Sequence, residues 1–294
     1  MVIGRFAPTP SGGLHFGSLV AALASFLHAR RQGGRWLVRM EDVDAPRCEK
    51  GADALILRQL ELYGLHWDGE VLYQSTRHEA YRAARDALLD KGLAYVCRCS
   101  RAQVRDRAIR FGSEGAIYPG TCRGLGLHAD QGLAVRLDTQ RVQGASTVRF
   151  VDAWHGVIEH DVAADLGDFV LWRVEDMAAY HLAVVVDDAY QDITEVVRGS
   201  DLLDSTPRQI LLQKALGLPA PHYAHVSLAL AANGQKLSKQ NRAPCLPIKT
   251  TAEDVWDALV FLGESPPVEL CGARPEELIA WALARNSAGG VPVL

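Results

Sequence analysis

The feature that most constrains the fold is the stretch at residues 5–18, RFAPTPSGGLHFGS. Residues 4–7 predict a short strand that two prolines end, because proline cannot donate a ladder hydrogen bond. Residues 14–30 follow with apolar side chains at helical spacing. The pattern therefore predicts a strand, a small-residue loop and a helix. Loop N–H groups, His15 and the positive end of the helix would then offer a place for a phosphate. An ordinary βα connection is the alternative.

Alternating strand and helix patterns continue to about residue 94 and predict an α/β fold with a mostly parallel sheet. A strand at residues 36–40 precedes helices at residues 52–63 and 81–91. Glu41, with Asp42 and Asp44, directly follows that strand, where open α/β sheets bind ligands. A solvated, helix-capping acidic cluster is the alternative.

Three of the six cysteines lie close together in the sequence, at Cys97, Cys99 and Cys122. Two neighbouring thiols with a distant third suit a tetrahedral zinc, which lets a small insertion fold without a large core. Tyr118 and His128 are the candidates for the fourth ligand. Three unrelated reduced cysteines are the alternative.

A run of arginines lies between these cysteines, on and around a predicted helix at residues 100–111. Since the formal net charge of the chain is −4, any contact with nucleic acid requires such a local basic patch. A solvated helix face is the alternative. The arginines are Arg98, Arg101, Arg105, Arg107 and Arg110.

The later part of the chain predicts more strands of the same sheet. Residues 183–186 are apolar and predict a buried parallel strand that ends at Asp187 and Asp188. Further strands are predicted at residues 194–197 and 223–230, a helix at 206–216, and two short helices at 252–262 and 275–285. Lys236 and Lys239 flank a serine after a tight-turn signal and can reach a polyphosphate, although an exposed turn is the alternative.

Taken in order, these motifs resemble the class I aminoacyl-tRNA synthetases of the glutamyl type. HFGS at residues 15–18 is similar to the HIGH-type signature, EDVD at 41–44 to the following acidic turn, and KLSKQ at 236–240 to the KMSKS loop. VVDD at 185–188 and VRGSD at 197–201 resemble the late active-site strands. Ser18 and Gln240 depart from the usual last residues of the two signatures.

The resemblance implies a Rossmann-type class I catalytic domain with a zinc-containing insertion and a short helical C-terminal segment. We expect the catalytic domain at residues 1–94 and 180–245, the inserted zinc and acceptor-binding subdomain at 95–179, and the helical tail at 246–294. The residues after Gln240 are too few for the anticodon-reading domains of a glutamyl-tRNA synthetase.

The chain therefore most resembles the short paralogous family, the glutamyl-queuosine tRNA(Asp) synthetases. That family activates L-glutamate with ATP and attaches it to queuosine in the anticodon of tRNA(Asp). The resemblance implies ATP with Mg²⁺ as cosubstrate and a structural zinc held by Cys97, Cys99, Tyr118 and Cys122. A truncated glutamyl-tRNA synthetase that charges a tRNA 3′ end, and a non-catalytic zinc RNA-binding paralogue, are the alternatives.

The resemblance also implies roles for individual residues. Arg5 and Arg198 would bind the glutamate carboxylates, Glu41 the ammonium group, and Tyr180 would add a hydrogen bond. The remaining residues of the glutamate pocket would be Phe6, Ala7, Pro8 and Thr9. The catalytic residues would be His15, Lys236 and Lys239, and the ATP-binding residues His15, Gly17, Ser18 and Lys239.

The sequence also bears on location and assembly. It contains no uninterrupted apolar run of about 20 residues, which a membrane-spanning helix needs, and no signal-peptide pattern. We expect a cytoplasmic monomer without membrane contact.

Overall fold

The computed structural model describes residues 1–112, 115–128, 132–144, 147–228, 245–247 and 251–285. The strands are β1 (Ile3–Phe6), β2 (Arg35–Met40), β3 (Leu72–Tyr73), β4 (Ala94–Cys97), β5 (Phe111–Gly112), β6 (Gly115–Ala116), β7 (Ala134–Leu137), β8 (Val148–Asp152), β9 (Gly156–His160), β10 (Val170–Arg173), β11 (Met177–Ala178), β12 (Glu195–Gly199) and β13 (His222–Val226). The α-helices are α1 (Phe16–Arg31), α2 (Ala52–Leu62), α3 (His78–Asp90), α4 (Arg101–Arg107), α5 (Tyr180–Tyr190), α6 (Thr206–Leu216), α7 (Thr251–Phe261) and α8 (Pro275–Ala284).

The largest sheet of the described residues has seven strands in the order β3-β2-β1-β12-β13-β8-β9. Every pairing in it is parallel except that of β8 with β9. The prediction of an α/β fold with a mostly parallel sheet is therefore confirmed. The strand order runs outward from β1 to β3 and then returns to β12 beside β1. Open α/β sheets bind ligands at such a reversal, outside the carboxyl ends of the strands.

Helix α1 lies between this sheet and the C-terminal helices. Its side chains Leu19, Leu23 and Leu27 are fully buried, because the helix has apolar residues around most of its circumference. At its C-terminal end Arg31 bonds Glu264 at 2.7 Å and the carbonyl oxygen of Ala282 at 2.8 Å. These contacts, together with packing of α7 and α8 on α1, attach the helical tail to the element that follows the N-terminal loop.

The prediction of a buried strand at residues 183–186 is wrong. These residues lie in the middle of helix α5, and Asp187 and Asp188 belong to the same helix instead of ending a strand. A short, wholly apolar run carries no periodicity that separates a buried strand from a buried helix. Here α5 packs against α3 and α6, so almost every side of its central turn is covered.

The second sheet is antiparallel, with the order β11-β10-β7-β4, and it carries the cysteine-bearing segment. Ser100 caps α4 as predicted, accepting a hydrogen bond from the backbone N–H of Gln103 at 3.2 Å, but the helix is shorter than expected and ends at Arg107. The hairpin β8–β9 supplies the last two strands of the seven-stranded sheet, although it falls within the predicted insertion. The boundaries at residues 95 and 179 stay a prediction.

Within the described ranges, no helix has both the length and the apolar composition that crossing a bilayer requires.

Candidate active site and metal cluster

A cavity of about 600 Å³ opens outside the carboxyl ends of β1, β12 and β13, beside the start of α1. All of the predicted site residues that the structure describes, apart from the metal ligands, line this cavity. They are Arg5, Phe6, Ala7, Pro8, Thr9, His15, Gly17, Ser18, Glu41, Tyr180 and Arg198.

The N-terminus of α1 forms one wall of the cavity. His15 is its N-cap residue, and the His15 Nδ1 atom accepts a hydrogen bond from the backbone N–H of Ser18 at 3.2 Å. In the neutral ring this contact assigns the proton to Nε2. Gly17 and Ser18 line the same wall, so the positive end of the helix dipole and a histidine lie together. This arrangement suits an anionic group such as a phosphate.

A buried ion network lies at the inner end of the cavity. Asp188 Oδ1 accepts hydrogen bonds from Arg5 Nε at 3.1 Å and from Arg39 Nη2 at 2.7 Å. Burial alone would raise the pKa of Asp188, but the two guanidinium groups outweigh it and hold that pKa below its usual value. Among the described residues, Asp188 is the only hydrogen-bond partner of the Arg5 guanidinium, so its terminal nitrogens are available to a ligand in the cavity.

Glu41 lies at the edge of this network. Its carboxylate is 3.8 Å from Arg39 Nη2, beyond hydrogen-bond distance. Burial raises the pKa of Glu41 to about 7, against the opposing effect of Arg39 and Arg5. A cationic ligand bound at this cavity wall would stabilise the ionised form of the Glu41 carboxyl group.

Arg198 is oriented by neutral groups. Its Nε donates to His225 Nε2 at 3.0 Å and its Nη2 to Thr206 Oγ1 at 2.8 Å. Nη1 lies 3.5 Å from the Tyr180 hydroxyl oxygen, and Nη2 also reaches the Leu202 carbonyl oxygen at 3.2 Å. No carboxylate of the described chain contacts this guanidinium, so its positive charge is available to an anionic ligand.

The two predicted lysines, Lys236 and Lys239, lie outside the described residues. The flanks of their segment do lie near the cavity. Leu228 lines it on one side. On the other side, the Leu246 N–H donates to the Leu14 carbonyl oxygen at 2.8 Å, immediately before α1.

The cysteine-bearing segment forms a compact cluster away from this cavity. The sulfur atoms of Cys97, Cys99 and Cys122 all lie within 4.8 Å of one another, and His128 is not part of this described group. The Tyr118 hydroxyl is 3.3 Å from Cys97 Sγ and 3.6 Å from Cys99 Sγ, and the Cys99 and Cys122 sulfurs are 3.5 Å apart. Ligands of one tetrahedral zinc lie about 3.6–3.8 Å apart. Three thiols and a phenol at these separations fit such an ion.

Ordered side chains support this cluster. Arg136 lies over the Tyr118 ring at 4.0 Å, and its Nε donates to Cys97 Sγ at 3.4 Å. Arg123, one residue after Cys122, contacts the buried Asp168 and Asp138, and its Nε is 3.3 Å from Asp138 Oδ1. These contacts join the cluster to the antiparallel sheet.

The arginines of the α4 region form an exposed surface beside the cluster. All five predicted arginines are exposed. Within the described part of the chain, none of them has an acidic partner at ion-pair distance. Phe111 and Ile109 are also largely exposed there. We define Arg98, Arg101, Arg105, Arg107 and Arg110 as the α4 arginine surface.

Several residues that shape the cavity were not singled out as site residues from the sequence. The sequence predicts Asp188 at a strand end, whereas it lies in helix α5, and it indicates no role for Arg39. No sequence pattern identifies His225 or Asp152 as a site residue, because they belong to strands β13 and β8, which pair only in the folded sheet. A buried histidine next to a predicted substrate arginine can be recognised only from the register of β12 and β13.

The chain is similar to a protein-family model, to individual relatives and to solved structures. The family model described as "tRNA synthetases class I (E and Q), catalytic domain" matches residues 1–260. A relative from Thiobacillus denitrificans, named glutamyl-Q tRNA(Asp) synthetase, is 55% identical over 290 residues, which are 99% of this chain and 95% of the relative. A protein of the same name from Pseudomonas aeruginosa is 50% identical with the same coverage.

Among solved structures, a glutamate tRNA ligase from Elizabethkingia meningosepticum, in complex with its amino acid, superposes with a TM-score of 0.68. The two sequences are 28% identical, and the match covers 81% of this chain and 52% of the ligase. The chain thus spans about half the length of that protein.

Proposed function

This chain belongs to the class I tRNA synthetases of the E and Q type and is a ligase of the aminoacyl-tRNA synthetase kind; we propose that it activates L-glutamate with ATP and transfers it to the queuosine base of tRNA(Asp). The observation that carries the proposal is that one cavity is lined by all the described residues that are predicted to bind glutamate or phosphate. Identity of 50–55% to relatives named for this reaction supports it.

In the first step, one oxygen of the glutamate α-carboxylate attacks the α-phosphorus of ATP. The new P–O bond forms as the bond to the β-phosphate oxygen breaks, which releases pyrophosphate. The protein contributes chiefly alignment of two anions and stabilisation of phosphate charge. His15 Nε2–H and the first turn of α1 face the phosphates, and Lys236 and Lys239 supply further positive charge. ATP enters with Mg²⁺, which neutralises part of the phosphate charge when it is bound.

Glutamate carries two carboxylates and one ammonium group, and the cavity offers a complement to each. Arg5 and Arg198 bind the carboxylates through charge-assisted hydrogen bonds. Arg5 donates from its two terminal nitrogens, and Arg198 donates from Nη1, because its Nε and Nη2 already bind protein groups. Glu41 accepts from the ammonium group, and Tyr180 adds a hydrogen bond. The backbone from Phe6 to Thr9 closes the pocket beside β1.

In the second step, a hydroxyl oxygen of the queuosine cyclopentene ring attacks the activated carbonyl carbon of glutamate. An ester bond forms, AMP leaves with the bonding electrons, and the hydroxyl proton is released. We place the tRNA on the α4 arginine surface, since arginines without acidic partners suit a phosphate backbone.

Cys97, Cys99, Tyr118 and Cys122 would hold a structural zinc. Their spacing supports this assignment, and four protein ligands leave no open position for catalysis. A location in the cytoplasm and a monomeric state remain part of the same proposal.

The test uses purified wild-type protein. Pyrophosphate exchange into ATP is measured with each amino acid in turn, and we expect exchange with glutamate alone. Radioactive glutamate is then offered with tRNA(Asp) that carries queuosine, with tRNA(Asp) that has guanosine at that position, and with tRNA(Glu). The proposal is supported if label appears on the anticodon nucleotide of queuosine-bearing tRNA(Asp) and on neither of the other tRNAs. Label at a 3′ end would instead indicate ordinary tRNA charging. Absence of exchange would favour the non-catalytic alternative.

A further inference from the structure

A buried chain of side chains runs from the edge hairpin of the large sheet to the cavity. Asp152 Oδ2 lies 2.6 Å from His225 Nδ1, and His225 Nε2 lies 3.0 Å from Arg198 Nε. The Asp152 and His225 side chains have no exposure to solvent. The backbone register fixes this contact, because Arg198 and His225 are direct neighbours on the paired strands β12 and β13.

The donors and acceptors of Asp152, His225 and Arg198 allow one arrangement of the hydrogen atoms. An arginine Nε is always a donor, so His225 Nε2 accepts and the ring proton is on Nδ1. Nδ1–H then donates to the Asp152 carboxylate. The other oxygen of Asp152 accepts from the backbone N–H groups of Trp154 and His155, each at 3.0 Å, which holds the carboxylate in place. Asp152 thus selects the histidine tautomer that can bind Arg198.

This arrangement orients a guanidinium without neutralising it by direct contact. Arg5 on the same cavity donates straight to a carboxylate, that of Asp188. Arg198 instead meets a neutral ring, and the compensating carboxylate of Asp152 lies one residue farther away. An arginine held by neutral acceptors keeps more of its attraction for a ligand carboxylate.

We propose that Asp152 and His225 are positioning residues that fix the Arg198 guanidinium for a carboxylate of the bound glutamate. The proposal rests on the proposed function for the identity of that ligand. It differs from a role in folding alone, because it requires the Nδ1–H tautomer and an acceptor at the Nε2 position.

The tautomer is measured without substrate. Nitrogen-15 histidine labelling and two-bond correlation spectra distinguish Nδ1–H from Nε2–H, and the signals of residue 225 are those that disappear in His225→Gln. We expect Nδ1–H in the wild type and a change to Nε2–H in Asp152→Asn, since the carboxamide offers its NH₂ group to Nδ1. A wild-type spectrum with Nε2–H would overturn the proposal.

The second measurement is the KM for glutamate in pyrophosphate exchange. We expect Asp152→Asn to raise it about 10- to 100-fold, with a much smaller change in the KM for ATP. His225→Gln places an amide oxygen near the Nε2 position and should retain more glutamate affinity than His225→Asn, whose amide lies near Nδ1. His222→Gln, an exposed position on the same strand, is the matched control and should leave KM unchanged.

Equal KM values for Asp152→Asn and the wild type, or a better KM for His225→Asn than for His225→Gln, would refute the positioning role. Lack of glutamate-dependent exchange by the wild type would instead refute the proposed function and the ligand named here, while the tautomer spectrum would still report the arrangement of His225. The two failures are therefore distinguishable.

Discussion

The carboxylate of Asp188 accepts a hydrogen bond from Arg5 Nε at 3.1 Å, which joins helix α5 to strand β1 at the inner end of the cavity. Both side chains are almost fully buried, and Asp188 also binds Arg39. One carboxylate therefore compensates two buried cations. A buried charge without its partner costs far more than a surface pair contributes.

Asp188→Asn should accordingly destabilise the fold. We expect the free energy of unfolding at pH 7 to fall by about 3–5 kcal/mol, as for other buried pairs that lose one partner. Urea denaturation measures it. Glu79→Gln removes an exposed partner of Arg82 on α3 and is the control, with an expected loss below about 0.5 kcal/mol. A loss of similar size in both variants would contradict the role of Asp188.

The effect of Asp188→Asn on the free energy of unfolding should depend on pH. Because the pKa of folded Asp188 lies below its usual value, its stabilising contribution is present above that usual value and disappears as the pH falls through the folded pKa. The difference in unfolding free energy between the wild type and Asp188→Asn should therefore shrink as the pH is lowered from 5. A difference that is constant over this range would show that the ionised carboxylate is not responsible.

Glu41→Gln should change folding stability and glutamate binding in opposite directions. The pKa of Glu41 is about 7 in the folded protein and 4.5 in the reference state, so folding favours its protonated form between these values. Wild-type stability, relative to the glutamine variant, therefore falls as the pH rises through this range. At pH 8 we expect Glu41→Gln to be more stable by about 2–3 kcal/mol, measured by urea denaturation, and to have no such advantage below pH 4.5.

If the ionised Glu41 carboxylate binds the ammonium group of glutamate, as proposed above, glutamate binding should show the opposite trend. The wild-type KM for glutamate should fall between pH 6 and pH 8, and this decrease should vanish in Glu41→Gln together with an overall rise in KM. An unchanged pH profile in the variant would remove Glu41 from the ammonium site.

The mixture of correct and wrong predictions has a physical basis. The N-terminal strand, loop and helix could be predicted because prolines, small residues and apolar spacing act locally. Helix α5 could not, since its central apolar run fits either a buried strand or a buried helix, and tertiary packing decides between them. The contact of Asp152 with His225 joins residues 73 positions apart and depends on sheet order, which no local pattern encodes.

The proposed zinc site at Cys97, Cys99, Tyr118 and Cys122 predicts a measurable metal requirement. Cys122→Ser should reduce bound zinc from about one ion per chain to a small fraction, because structural zinc sites need all four ligands. Elemental analysis measures the metal, and proteolysis should cleave the segment around residues 97–122 faster. Cys271→Ser, at an exposed cysteine outside the cluster, is the control. Zinc loss in His128→Ala with retention in Tyr118→Phe would reverse the assignment of the fourth ligand.

Lys239→Ala tests the segment that lies outside the described residues. If Lys239 neutralises charge that develops on the phosphates, its loss should lower the rate of glutamate activation about 100-fold, with a smaller change in the KM for glutamate. Pyrophosphate exchange provides both values. Lys214→Ala, at an exposed position near the end of α6, should retain the wild-type rate. A near-normal rate for Lys239→Ala would exclude this lysine from the mechanism.

The α4 arginine surface predicts how RNA binding depends on salt. Each phosphate contact that a protein makes releases condensed counterions, so the slope of log K against log salt reports the number of contacts. Combining Arg101→Glu with Arg105→Glu should weaken binding of tRNA(Asp) at least tenfold at low salt and reduce the magnitude of that slope by about two. The matched control combines Arg58→Glu with Arg149→Glu, at exposed positions on α2 and β8. Equal affinities for the two double variants would place the tRNA on another face, whereas a selective loss in the first would identify this surface as its binding site.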